Sequence, residues 1–534
     1  MKSAIALQQF KKCIILFIVG IGCSTLMYMI YVFDPTTMIV EYNLQMVPNT
    51  LLFSIWRQPP LKMYLKVYVF NITNPIEFLN GEENIKFEEI GPYVYQEILV
   101  HENITFNDNN TMSYIPRRTI VYIPEMSIGD PAETVINVVN IPYLGVTSAL
   151  SDAGFMVNYP IAQLANFLKT KPILNITVYD YLWGFEDPLV KLASGIVPNF
   201  INFQKFGLLD RMYDDGENIV TVNLQKKDDM LEEEGRYLSI DKYNGSPGMA
   251  HWGYIDTEGN ETREENTICN RLRGATEGVI YPSHMDKRAK FRIYRKAFCR
   301  PLPVTFRKET WTENGVPGYM YTLADDFADP GDQNPDNECF CRKKTCLKKG
   351  LVDLTPCYYN IPAAESFPHF LDADPSLLEN IEGLKPDKEK HGSYCILQQT
   401  VGMPVEFHSR LQTNLIMRRS RYNSKLTPFN DLTLPLFWFE SYMVMPNYLV
   451  ILLKLGLRIL PIAQAVLMYL LGVIGLTTSV LSLISIAWIF NQQQQQQKQE
   501  ITRSNDNLDL RVPLCNGPYL TTSINILPPI KCRK

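Results

Sequence analysis

Two uninterrupted apolar runs bracket the chain, and between them apolar and polar positions alternate over short stretches. Cys13 to Phe33 (CIILFIVGIGCSTLMYMIYVF) carries no charge, and neither does Ile462 to Phe490 (IAQAVLMYLLGVIGLTTSVLSLISIAWIF). A helix rises 1.5 Å per residue, so each run can cross a hydrocarbon core of about 30 Å. The first run is longer than the apolar core of a signal peptide and ends in Tyr-Val-Phe-Asp-Pro, not in small residues, so it reads as an uncleaved anchor. Leu65–Phe70, Tyr93–Val100, Arg118–Ile123 and Asn218–Leu224 are rich in β-branched and aromatic residues and read as strands. Helical periodicity is strongest from Tyr159 to Lys171, where Ile161, Leu164, Ala165 and Leu168 share a face and Pro160 suits the first turn. Leu449 to Leu460 is apolar but too short to span and contains Lys454 and Arg458. It reads as an interfacial helix ended by Pro461. After Phe490 a glutamine run and a polar tail have too few apolar residues to build a core, which predicts disorder.

Charge sets the orientation. Lys2, Lys11 and Lys12 precede the first run, and Lys498, Arg503 and Arg511 follow the second, so both ends should be cytoplasmic. Lys454 and Arg458 oppose this reading, but all six N-x-S/T sequons lie between the runs, at Asn71, Asn103, Asn109, Asn175, Asn244 and Asn260. That distribution places the central region on the glycosylated side. The expected organisation is a cytoplasmic tail (1–12), a membrane helix (13–33), an extracellular or luminal region (34–461), a second membrane helix (462–490) and a disordered cytoplasmic tail (491–534).

Composition removes several function classes. The chain is 46% hydrophobic and 20% charged with a net charge of −5, without the basic face that nucleic acid requires. The acidic run Asp228–Glu234 reads as a solvated loop. The histidines at 101, 251, 284, 369, 391 and 408 form no H-E-x-x-H pair, and the chain has neither a phosphate-cradling loop nor a G-x-S-x-G elbow. No enzyme, metal or cofactor is expected. Of the 11 cysteines, Cys269, Cys299, Cys339, Cys341, Cys346, Cys357 and Cys395 lie between the runs, where thiols oxidise. Residues i and i+2 of extended chain rarely bridge each other, so one of Cys339 and Cys341 is free to close a small ring with Cys346. The other then needs a distant partner, and spacing alone does not choose among the arrangements.

Several motifs carry a resemblance. Trp56-Arg-Gln-Pro-Pro60, Val67-Tyr-Val-Phe-Asn-Ile-Thr-Asn-Pro75, Glu89-Ile-Gly-Pro-Tyr-Val-Tyr95, Leu182-Trp-Gly-Phe-Glu-Asp-Pro188, Phe206-Gly-Leu208, Asn337-Glu-Cys-Phe-Cys341, Pro368-His-Phe-Leu371 and Ile381-Glu-Gly-Leu384 occur in order between two terminal spans. Together they resemble the class B scavenger receptors, from the first span through the second. The resemblance implies an α+β membrane protein with a large ectodomain built on an antiparallel β-barrel, a helical bundle at its apex and an internal hydrophobic tunnel. It also implies the disulfides Cys269–Cys339, Cys299–Cys357 and Cys341–Cys346, which leave Cys395 without a partner.

The implied function is a receptor that binds lipids, fatty acids, sterols or lipoprotein particles at the apex and passes hydrophobic cargo through the tunnel. Lys169 and Lys171 are the candidate ligand-binding residues, because the helical segment 159–171 falls in the apex region. Cys13 and Cys515 are candidate palmitoylation sites, with Cys532 a weaker one. An endolysosomal lipid transporter or enzyme-sorting receptor, a sensory co-receptor for hydrophobic odorants and a phagocytic receptor are the alternatives. Tyr519-Leu-Thr-Thr is not a Tyr-x-x-Φ sorting signal, which favours the plasma membrane over endosome or lysosome. Monomer and homo-oligomer both stay open.

Overall fold

The computed structural model describes residues 2–199, 201–213, 216–225, 235–256, 264–342 and 345–509. The chain divides into two compact units, one made of its two ends, up to Met38 and from Arg458, the other of Ile39–Leu457.

In the larger unit 14 strands form one sheet among the described residues. Twelve matter here: Lys62–Ile72 (β1), Ile85–Asn107 (β2), Thr111–Tyr122 (β3), Val220–Asn223 (β4), Ile240–Tyr243 (β5), Phe291–Ile293 (β6), Leu302–Trp311 (β7), Pro317–Leu323 (β8), Ala363–Ser366 (β9), Tyr394–Gln398 (β10), Met403–Ile416 (β11) and Thr433–Val444 (β12). The order is β6-β7-β8-β10-β11-β12-β1-β2-β3-β4-β5, with β9 added on β11. These pairs are antiparallel, and β1 sits between β2 and the far end of the chain, with Lys66 opposite Glu440.

Residues 274–276 join the two ends of this order. The Ile240 N–H donates to Ala275 O, the Thr276 N–H to Arg292 O and the Tyr294 N–H to Thr276 O, at 2.7 to 2.8 Å. The main run of strands therefore closes into a barrel, which is how antiparallel sheets limit pairing with other chains.

Helices gather between β3 and β4: Ile141–Ala149 (α1), Phe155–Phe167 (α2), Val178–Trp183 (α3), Pro188–Ile196 (α4) and Leu208–Tyr213 (α5). Asn140 caps α1, Asp187 caps α4, and the Asn140 amide donates to Asp187 at 3.0 Å, so the two caps hold each other. The helix expected over 159–171 is α2, shifted toward the N-terminus. Pro160 sits in its interior, and the i→i−4 bond it cannot make would have gone to Met156, a residue 82% exposed, on the solvent side where a lost bond costs least. The helix stops at Phe167, and Lys169 follows in the left-handed region with φ +55°.

The smaller unit is a helical hairpin of Lys2–Phe33 and Leu460–Asp509, both long and apolar enough to cross a membrane. The two helices run antiparallel. Phe10 meets Phe490 edge to face, the Ser482 hydroxyl donates to Cys13 O at 2.5 Å, and Gln464 donates to Asp34 at 2.7 Å. Small residues line the contact: a Cβ on Gly475 would stand 3.0 Å from Gly20 O, and one on Gly20 would stand 2.9 Å from Ser479 N.

Two boundary expectations need correction. Residues 491–509 are helical, continuing the second span; Gln, Lys and Glu are good helix formers and neither Gly nor Pro interrupts them. Pro461 ends no helix. Helical backbone runs from Asn447–Lys454 through a π-helical turn at Leu455–Ile459 into Leu460–Asp509, and the widened turn falls just ahead of Pro461, which has no N–H to donate to the preceding turn.

Candidate functional site

The barrel interior is hollow. Alternation along the strands turns Phe439, Ser441 and Met443 of β12 and Phe407, Ser409 and Leu411 of β11 inward, where they line a cavity of about 400 Å³. Leu65 of β1, Leu99 of β2, Val304 of β7, Tyr321 of β8 and Leu397 of β10 complete an apolar wall. The volume lies within the range of ligand pockets, and the lining is their usual apolar kind.

A few polar groups interrupt it. Glu97 of β2 is 5% exposed, Arg118 Nε lies 3.3 Å from Glu97 Oε1, and the Tyr213 hydroxyl donates to Glu97 Oε2 at 3.0 Å. Burial, together with the neighbouring Glu97 charge, pushes the Tyr213 phenol well up, so it stays a donor. In the same sense, Glu277 accepts from the Tyr114 hydroxyl at 2.5 Å. The two carboxylates are each met by a tyrosine hydroxyl, and the surface of the cavity as a whole is mainly apolar.

The outer face of the same strands is pinned by charge. Glu440 of β12 accepts from Lys66 of β1 at 2.8 Å, and from His408 Nδ1 and Arg410 Nε of β11 at 2.9 Å each. Burial works against the Glu440 charge, but the hydrogen bonds from His408 and Lys66 and the Arg410 charge hold its pKa down to about 2. Three adjacent strands are thereby locked in register beside the cavity.

Lys169 and Lys171 do not line the cavity; both are exposed beyond α2, beside Phe167, itself 82% exposed. Phe155, Met156 and Tyr159 of α2 are exposed as well, so this segment shows water both large apolar and basic side chains. Asn103, Asn109, Asn175 and Asn244 are exposed, whereas Asn71 is half-buried in β1 with Oδ1 accepting from the Asn137 N–H at 2.9 Å. Asn260, the run Asp228–Glu234, Cys515 and Cys532 lie outside the described residues. Cys13 is half-buried in the first membrane helix.

Three disulfides join Cys269 to Cys339, Cys299 to Cys357 and Cys341 to Cys346, the pairs that the resemblance implies. Cys395 is free and faces the cavity from β10, and burial pushes its thiol up to about 12.

One cluster was not legible in the sequence. Glu89 of β2, His369 and His391 converge with Trp438, from four separate parts of the chain. His369 Nδ1 accepts from the Lys385 N–H and His391 Nδ1 from the Asp387 N–H, each at 3.0 Å. In the neutral rings this places the protons on Nε2, so His369 Nε2 donates to Glu89 and neither Nε2 keeps a lone pair for a metal. The group formed by His251, Cys299 and Cys357 likewise has no thiolate to offer, because its cysteines are bonded to each other.

Comparison with known proteins agrees in extent. The CD36 family model matches residues 13–486. Scavenger receptor class B member 1 of Rattus norvegicus is 29% identical over 427 residues, 79% of either chain. The Sus scrofa protein of that name is 29% identical over 400 residues, 75% of this chain and 74% of its own. Lysosome membrane protein 2 of Rattus norvegicus is 28% identical over 387 residues, 71% of this chain and 74% of its own.

Proposed function

Because the chain belongs to the CD36 family, we propose that it is a two-span receptor whose barrel takes up single lipid molecules and hands them to the membrane. The observation that carries the lipid part is the closed barrel with its apolar cavity of about 400 Å³. A lipid in water pays about 0.8 kcal/mol per exposed methylene, and a dry passage removes that cost. Transfer then follows the activity gradient of the cargo, with no cofactor and no catalytic step.

In this reading the exposed helical surface around Met156, Phe167, Lys169 and Lys171 captures lipoprotein particles or lipid-bearing surfaces. Residues 34–461 form the extracellular or luminal part, glycosylated at its sequons and least at Asn71, which is half-buried where the other described sequon asparagines are exposed. Cys13 and Cys515 are S-acylated beside the membrane, and the tails 1–12 and 491–534 are cytoplasmic. Plasma-membrane residence is the first reading. Relatives named lysosome membrane protein 2 make the lysosomal membrane the second.

The test is to purify the protein and identify co-purifying lipids by mass spectrometry, then to follow transfer of a labelled lipid between vesicles. Reproducible lipid with transfer is expected. Lipid-free protein that moves no label would sink the reading.

A further inference from the structure

A second chamber of about 60 Å³ lies along the same inner wall. Register shows the continuity. Leu411 pairs with Phe439 and lines the main cavity; two residues on, Thr413 pairs with Phe437 and lines the second. Side chains two apart on a strand share a face, so the chambers are successive stretches of one surface. Met212 of α5 lines both and stands at their junction, and its unbranched thioether chain can shift without a large barrier.

The second chamber holds an unusual group. Glu365 of β9, 3% exposed, lines it, and Glu365 Oε2 has no hydrogen-bond partner among the described residues. Its neighbours along the strand are satisfied differently: Ala364 and Ser366 face the other way, where the Asn414 amide donates to Ala364 O at 3.2 Å and to Ser366 Oγ at 3.0 Å. The buried Arg300 acts on Glu365 through its charge, which it shares with Asp353, and no hydrogen bond between Arg300 and Glu365 closes the Oε2 valence. An orphaned carboxyl oxygen in a near-dry pocket is costly unless something comes to meet it.

We propose that this chamber is a head-group station, in which Glu365 hydrogen-bonds the uncharged hydroxyl end of a lipid whose chain lies past Met212 in the main cavity. The inference rests on the lipid-conduit reading above. Burial, opposed by the Arg300 charge, pushes the Glu365 carboxyl up to about 8, so near neutral pH it carries its proton. A protonated carboxyl offers one donor and one acceptor, the complement of a hydroxyl. The space holds about four water-sized groups, which admits a hydroxyl and its carbon and excludes a phosphate ester head. A carboxylate head would bring a charge into this pocket, and the Arg211 guanidinium at its edge is already held by Asp210 at 2.6 Å.

The experiment uses the full chain in membranes and three photoreactive probes of equal chain length: an alcohol, the parent hydrocarbon and a carboxylate. Labelled peptides are mapped by mass spectrometry in the native protein, Glu365→Gln and Glu365→Leu. The alcohol is expected to label 208–213 and 354–366. Labelling should fall about tenfold in Glu365→Leu and stay within about threefold in Glu365→Gln, whose amide keeps a donor and an acceptor. Hydrocarbon labelling of the main cavity should not change. Unlabelled alcohol should also outcompete unlabelled hydrocarbon on the native protein, a measurement independent of how the variants fold. Equal alcohol labelling in Glu365→Leu, parallel losses of alcohol and hydrocarbon, equal competition, or a carboxylate that labels the chamber better than the alcohol would each overturn the proposal. Hydrocarbon in the main cavity without alcohol preference overturns the station alone; no labelling of either chamber by any probe overturns the conduit as well.

Discussion

His369 Nε2 stands 2.7 Å from Glu89 Oε2, and through that bond a loop from late in the chain is fastened to strand β2. The Trp438 indole donates to the same oxygen at 2.7 Å, and the His391 ring stacks on His369 at 4.4 Å. Burial opposes the Glu89 charge, but the bonds from His369 and Trp438 leave its pKa below the usual carboxylate value. Burial, helped by the adjacent His369, pulls His391 down to about 4.

The stability of the large unit should therefore fall as the medium is acidified. A group with a depressed pKa contributes stability above its unfolded value and loses it as pH drops through the folded one. For His391 the loss runs from about pH 6.5 to about 4, and Glu89 adds to it below its ordinary value of 4.5. Each group contributes at most about 1.4 kcal/mol per pH unit. Melting temperatures measured between pH 7 and 4.5 should decline, and His391→Gln should flatten the slope. An unchanged slope in that variant would show that His391 is not the sensor.

Filling the cavity should stop transfer without disturbing the surface. Ser409 faces inward from β11, so Ser409→Trp places an indole in the passage. Vesicle transfer is expected to drop about tenfold or more, at unchanged abundance and deglycosylation pattern, if the barrel carries the cargo. Full activity would route the lipid along the outer surface instead.

The membrane hairpin offers a matched pair of glycines. A Cβ on Gly20 would meet Thr478 Oγ1 at 2.7 Å and Ser479 N at 2.9 Å, whereas one on Gly22 would meet nothing within 4 Å. Gly20→Val should lower thermal stability in detergent by roughly 1–3 kcal/mol, and Gly22→Val should be close to neutral. Equal effects would mean that the two helices do not pack through this seam.

The disulfides should differ in worth according to the loops they close. Cys299–Cys357 spans 58 residues and Cys341–Cys346 only 5. Chain entropy puts the first at about 4 kcal/mol and the second at about 2. Paired Cys→Ala variants, compared by denaturant midpoint, should keep that order; a reversal would point to local strain or contacts at the small ring.

Local patterns in the chain were enough for much of this molecule. The two charge-free runs identify the membrane helices, because a bilayer's thickness sets a length that nothing else in the sequence reaches. Alternation in Leu65–Phe70 and Tyr93–Val100 marks strands, because successive residues of extended chain face opposite sides. The motifs from Trp56 to Leu384 were enough to place the family. The end of α2 was misjudged because Lys169 is as compatible with a helix as with the left-handed turn that closes it. The helix through Asn491–Asp509 was missed because its composition satisfies both polar tail and solvated helix.

Tertiary structure alone decided the rest. Lys66 lies opposite Glu440, and residues 274–276 seal the barrel between β5 and β6; neither contact has a local signature. The cavity exists only because the sheet closes, so no residue announces it in advance. Glu365 sits among apolar neighbours in the sequence as an ordinary charged residue would in any strand. Only the folded sheet takes it out of water and leaves its Oε2 without a partner among the described residues beside the second chamber. Periodicity is a property of neighbouring residues, whereas burial and solvation belong to whatever the folded chain brings alongside.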